Sequence, residues 1–233
     1  MSTSATVIAA LKFESGVVIA ADTQASDPIA RVRWPVEKLD RIGQHPLIIG
    51  FSGAIGLSQR AWSALDSSDF RTTTFEKRDR VRDAMDRCLN PIYTKIINDY
   101  PQPRPELWHI TIWGLAAYWA ENQPHIIEYG PNGIPEFHPH FHAIGSGANT
   151  AYAIWRTLGG PHLAKLGGEK SLQVILRIIR TCVDVEMVGV SEPITLWVVS
   201  ANKTRKVSPD EMETLKQYVC EWEEKERKEF FGS

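Results

Sequence analysis

A chain of 233 residues, 43% apolar and 23% charged, with a net charge of −2, can bury one sizeable core and has no bulk charge to attract nucleic acid or an anionic membrane. Its three cysteines, Cys88, Cys182 and Cys220, lie far apart with no CxxC pair, which argues against a disulfide framework or zinc knuckle and suits a reducing cytoplasm. Met1–Ala5 carries no basic segment, and Lys12 and Glu14 interrupt the apolar run behind it, so neither a signal peptide nor a membrane span is expected.

In chain order, Thr6–Lys12 and Val17–Asp22 are apolar strands around the turn Glu14-Ser15-Gly16, a hairpin. Val36–Ile42, after the Trp34-Pro35 break, and Leu47–Phe51 are expected strands. A helix is predicted over Ala54–Leu65, with Leu57, Ala61, Ala64 and Leu65 at helical spacing. A longer one follows over Phe75–Tyr100, its stripe formed by Val81, Met85, Cys88, Leu89, Ile92 and Ile96, and Pro91 should kink or interrupt it. Beyond the breaker Pro101–Pro105 come strands at Trp108–Trp113, His125–Tyr129 and Phe141–Ile144, with a turn at Gly130-Pro131-Asn132-Gly133. Two helices follow, over Asn149–Leu158 and Leu172–Val183. The second turns Leu172, Ile175, Leu176 and Ile179 inward and Gln173, Arg177 and Arg180 outward. Ile194–Val199 is the last strand of a core domain spanning residues 6–207.

Residues 208–233 are expected to form a helical extension. Ser208 caps it, Pro209 takes its first position, and Asp210 and Glu211 occupy its positive first turn. Met212, Leu215, Val219 and Trp222 make a stripe that packs on its own domain or meets another subunit. The order of strands, two helices, strands, two helices, strand fits an α+β architecture of two sheets with helices outside them.

Thr6 at the head of the first strand, the run Ala20-Ala21-Asp22-Thr23-Gln24-Ala25-Ser26 closing the second, and Lys38 beyond it form a spaced set. Gly50-Phe51-Ser52-Gly53-Ala54 and Gly145-Ser146-Gly147 each lead into a predicted helix. Singly these residues are ordinary strand, turn and surface residues; in this order they resemble proteasome β-subunits and the bacterial HslV protease. The resemblance covers the first third of the chain closely and the rest at scattered points. It implies a four-layer αββα sandwich of two antiparallel sheets, the N-terminal nucleophile hydrolase fold. It also implies a threonine peptidase in which Met1–Ala5 is a propeptide removed by autocleavage to expose Thr6.

In that mechanism the α-amine of a terminal threonine, titrating near pH ~8, is the base for its own hydroxyl. Lys38, held by Asp22, lowers the pKa of nearby amine and hydroxyl groups. The Gly53 N–H stabilises the oxyanion. Ser146 and an acid near Asp184 assist proton transfer, although the family's serine three residues beyond that acid is absent and Glu186 is the alternative. Ser26 and Ala54 are expected to bind an extended substrate through the main chain. Ala25, Val36, Phe51 and Ile55 are expected to line an apolar first pocket, giving cleavage after hydrophobic residues.

The resemblance implies a single or double homo-oligomeric ring, a polypeptide substrate, no cofactor and no catalytic metal. An ATPase unfoldase partner is a family analogy that no residue here carries. The competing functions on the same fold are hydrolysis of a small amide and a silent ring scaffold; Thr6, Asp22 and Lys38 together argue against the scaffold. His138, His140 and His142 alternate, so a single strand would put all three imidazoles on one face. Three ligands within one strand seldom converge on one ion and Pro139 breaks the ladder, so a polar surface strand is expected there and no metal is assigned.

Overall fold

The computed structural model describes residues 6–27, 32–67, 70, 74, 76–99, 112–130, 135–185, 190–201 and 203–232. Its first sheet has the order β10-β1-β2-β11-β12, built from β1 (Ile8–Phe13), β2 (Gly16–Asp22), β10 (Phe141–Ile144), β11 (Ile194–Ser200) and β12 (Thr204–Lys206). The second runs β5-β6-β7-β8-β9, from β5 (Leu39–Arg41), β6 (Leu47–Gly53), β7 (Ile112–Ala120), β8 (Gln123–Tyr129) and β9 (Pro135–His138). Every pairing in both sheets is antiparallel. β3 (Gln24–Asp27) and β4 (Val32–Pro35) form a separate two-stranded ribbon.

The pleat explains why β1 and β2 are apolar on both faces. Ile8, Ala10, Val17, Ile19 and Ala21 point between the sheets, where they meet Leu39, Ile48, Leu115 and Ile126. Val7, Ala9, Leu11, Val18 and Ala20 point outward, under α3 (Ala148–Thr157), α4 (Gly168–Asp184) and α5 (Pro209–Phe231). On the other side Leu47, Ile49, Phe51 and Ala116 pack under α1 (Ile55–Leu65) and α2 (Arg78–Asp99). The result is helices, sheet, sheet, helices.

Several expectations are amended. The helix α2 continues through Pro91 without interruption. The strand expected over Val36–Ile42 shortens to β5, because the Lys38 side chain turns into the interior. The strand expected at Trp108–Trp113 is seen from Ile112 and runs on to Ala120; residues 108–111, Phe75, Tyr100 and the turn residues 131–133 lie outside the described residues. Gln173, expected outward, is buried, because α5 covers that side of α4. The α5 stripe Met212, Leu215 and Val219 joins the core of its own domain, and Trp222 lies under Arg177, 4.1 Å from guanidinium carbon to ring centre. The Ser208 hydroxyl caps α5 by accepting the Glu211 N–H. Among the described residues no helix is long and apolar enough to cross a membrane.

The segment Phe137–His142 is not one strand. The chain leaves the second sheet after His138 and enters the first at Phe141, and the Lys12 N–H fixes the crossing by donating to the His140 carbonyl. His138 and His142 therefore face each other, with His140 at the bend between them.

Candidate active site

The site forms where the start of β1, the end of β2 and the β10–α3 turn meet. Asp22 is fully buried. Its Oδ1 accepts the Val7 N–H at 2.9 Å, and its Oδ2 accepts the Lys38 ammonium at 2.8 Å and the Gln24 N–H at 3.2 Å. One carboxylate thus joins the residue following Thr6 to a lysine that is itself 95% buried. Burial pushes Asp22 above and Lys38 below their ordinary values, and each charge draws the other back.

Thr6 is also fully buried. Its N–H donates to Ser146 Oγ at 3.2 Å, and its carbonyl accepts the Gly147 N–H at 3.2 Å and the Ser146 hydroxyl at 3.4 Å. The turn can lie this close because Gly145 has φ +93° and no side chain; a Cβ there would fall on the Thr6 carbonyl and 3.1 Å from Ser52 Oγ. Ser146 itself is exposed, so the turn ties the buried Thr6 backbone to a residue at the surface.

Gly53 ends β6, and α1 begins after it with no side-chain cap, the arrangement that favours developing negative charge. Gly53 and Lys38 line one cavity of about 360 Å³, together with Val36, Phe51 and Ile55. Phe51 and Trp62 form an aromatic wall, edge to face at 5.2 Å. Two expectations change here. Ala25 is buried and is not among the lining residues. The lining is not purely apolar, since Glu37 and Asp40 contribute carboxylates and Ser58 and Gln59 polar groups. The sequence carried a signal for half of this: Ile55, Ser58, Gln59 and Trp62 share one face of α1. Ser26 lies in β3 and Ala54 at the head of α1.

The acidic position is not brought in. Asp184 is exposed at the end of α4, where Arg180 feels its charge, and no hydrogen bond joins it to Thr6 or Ser146 among the described residues. Glu186 and Met1–Ala5 lie outside those residues. Sequence reasoning passed over Cys182, buried on α4 near Asp22. Its burial, and then the Asp22 charge, push the thiol up to about 12. Iodoacetamide at pH 8 should therefore modify exposed Cys220 in the native protein and spare Cys182 until the chain is unfolded, which peptide mapping by mass spectrometry checks.

Two antiparallel sheets between helix layers, with a buried threonine at the start of β1 and a buried Asp–Lys pair behind it, define a sandwich of the N-terminal nucleophile type. The chain belongs to the proteasome subunit family, whose sequence model matches residues 1–197. No curated protein sequence matches it. Among solved structures it is similar to Anbu, described as an ancestral beta-subunit, from Yersinia bercovieri: 11% identity over 96% of each chain, TM-score 0.76. It is also similar to a Gly-1 mutant of Anbu from Hyphomicrobium sp. strain MC1: 15% identity over 97% of this chain and 96% of that one, TM-score 0.74. At these identities the likeness concerns the fold.

Proposed function

We propose that this protein is an N-terminal-threonine peptidase, working as a homo-oligomeric ring, with Thr6 as nucleophile once Met1–Ala5 is removed. The observation that carries the reading is the Asp22 carboxylate, which binds both Lys38 and the Val7 N–H beside Thr6. A lysine is buried and ion-paired at this depth at a cost in desolvation, and its place next to β1 suits a chemical task.

With Ala5 attached, the Thr6 nitrogen is an amide and cannot act as a base. After cleavage it is a free amine titrating near pH ~8, one residue's reach from the hydroxyl. The amine takes the hydroxyl proton as Oγ attacks the substrate carbonyl, and the Gly53 N–H stabilises the oxyanion. The proton then passes to the leaving amine, and water hydrolyses the ester left on Thr6. Lys38 and Ser146 set the protonation and orientation of the amine. We assign no role to Asp184, which is exposed and bound to neither group. The cavity beside Lys38, with its aromatic wall and the Asp40 carboxylate, favours a substrate side chain with an apolar stem and a cationic end over a purely apolar one, while Glu37 is already paired with Lys206.

A peptide epoxyketone tests this, because its warhead closes a ring with both the hydroxyl and the free α-amine of a terminal threonine. The processed protein should gain the full probe mass on the peptide beginning at Thr6, faster for an arginine probe than for a leucine probe. Absence of adduct from fully processed protein would remove the peptidase assignment and favour a small-amide hydrolase or a scaffold.

A further inference from the structure

At the opposite end of β10 from the Ser146 turn, three side chains from three strands converge. Glu128 of β8, His138 of β9 and His142 of β10 each offer one ligand atom, all within 4.8 Å of one another. Glu128 Oε2 lies 2.7 Å from His142 Nε2 and 3.3 Å from His138 Nε2. The second approach is off the axis of a hydrogen bond, so His138 Nε2 is buried with no hydrogen-bond partner, an uncommon state for an imidazole nitrogen. The two rings stack at 3.5 Å, 20° from parallel. On the far side of His142, Nδ1 lies 2.6 Å from the Tyr152 hydroxyl of α3. None of these residues takes part in the proposed hydrolysis.

We propose that Glu128, His138 and His142 bind a divalent transition-metal ion, best matched by zinc, which clasps the two sheets together at this edge. Two imidazoles and a carboxylate are a borderline donor set suited to zinc, with cobalt and nickel as close substitutes. Metal–ligand bonds of about 2.0–2.1 Å at tetrahedral angles place donor atoms about 3.3 Å apart. The His138–Glu128 pair already has that spacing. The His142–Glu128 pair must open by about 0.6 Å and the stacked rings must splay as the ion replaces the proton between them. The Tyr152 hydroxyl then accepts from Nδ1–H and fixes the tautomer that turns the Nε2 lone pair to the metal, the usual office of an outer-shell partner. Glu128 Oε2 faces both imidazoles at once, so one cation can be held by all three side chains. Side-chain exposures of 11–18% leave a route for the ion and for water to complete the coordination.

The test uses chelator-stripped full-length protein in a Cys220→Ser background, which removes the exposed thiol as a rival ligand. Calorimetric titration with zinc chloride should give one site per chain and a raised Tm. Cobalt should give a visible ligand-field band without a thiolate charge-transfer band. Glu128→Gln and His138→Gln should abolish the stoichiometric site, Tyr152→Phe should weaken it about tenfold, and His140→Gln should leave it unchanged. If His142→Gln fails to fold, His138→Gln decides the matter, because His138 Nε2 has no hydrogen bond to lose. Absence of stoichiometric binding, or binding that survives His138→Gln and Glu128→Gln, would overturn the proposal.

Discussion

Lys38→Met is expected to lower stability by about 3–5 kcal/mol and to abolish both removal of Met1–Ala5 and peptide hydrolysis. The reason lies in what is left behind. Asp22 is wholly buried, and without the ammonium it holds a negative charge against only two backbone N–H groups. Removing one partner of a buried pair costs far more than the pair contributes, since the survivor has lost its water and its counter-charge. Asp22→Asn together with Lys38→Met removes both charges and should recover most of that stability while remaining inactive. Urea unfolding at constant m-value separates the two effects. A single variant within about 1 kcal/mol of wild type, or a double variant that still processes itself, would mean that the pair is neither structurally nor chemically what we take it to be.

Gly145→Ala should be the most damaging small substitution on the site. The residue sits at φ +93°, and the added methyl would overlap the Thr6 carbonyl oxygen. The strained backbone alone is worth about 1–3 kcal/mol, and the clash falls on backbone rather than on a flexible side chain. The turn must retreat, carrying Ser146 and the Gly147 N–H away from Thr6, so activity should fall more steeply than Tm. Gly56→Ala is the control. It lies in α1 with nothing within 4 Å of the new methyl, and should stabilise the protein by about 0.5–1 kcal/mol with activity kept. Equal behaviour of the two variants in thermal unfolding and processing would refute the close fit of the turn against Thr6.

The strands of the first sheet were legible because their apolar runs are bounded by a turn and an aspartate, and Thr6, Asp22, Lys38 and Ser146 stood out through the resemblance to proteasome β-subunits that their order carries. What escaped reading depended on tertiary neighbours. Gln173 is polar on a helical face that only α5 makes an interior. Lys38 has a strand-like sequence around it, yet leaves the strand to reach Asp22. The three alternating histidines suggested one strand, and only the crossing between sheets separates His140 from the pair that meets Glu128, a residue ten positions upstream of His138 and on another strand. The acidic rim of the cavity was hidden because Glu37 and Asp40 are exposed charges, and only the placing of β5 beside α1 brings them to the mouth of one cavity.

The measurement that bears most directly on Thr6 is the intact mass of the purified wild-type protein beside that of Thr6→Ala. If Thr6 is the nucleophile, the wild type loses Met1–Ala5 and begins at Thr6, while the variant keeps Ala5 and the residues before it that survive methionine removal. A purified wild-type protein with Ala5 still attached would contradict that role, and would leave the buried Asp22–Lys38 pair as the core of a scaffold rather than of an enzyme.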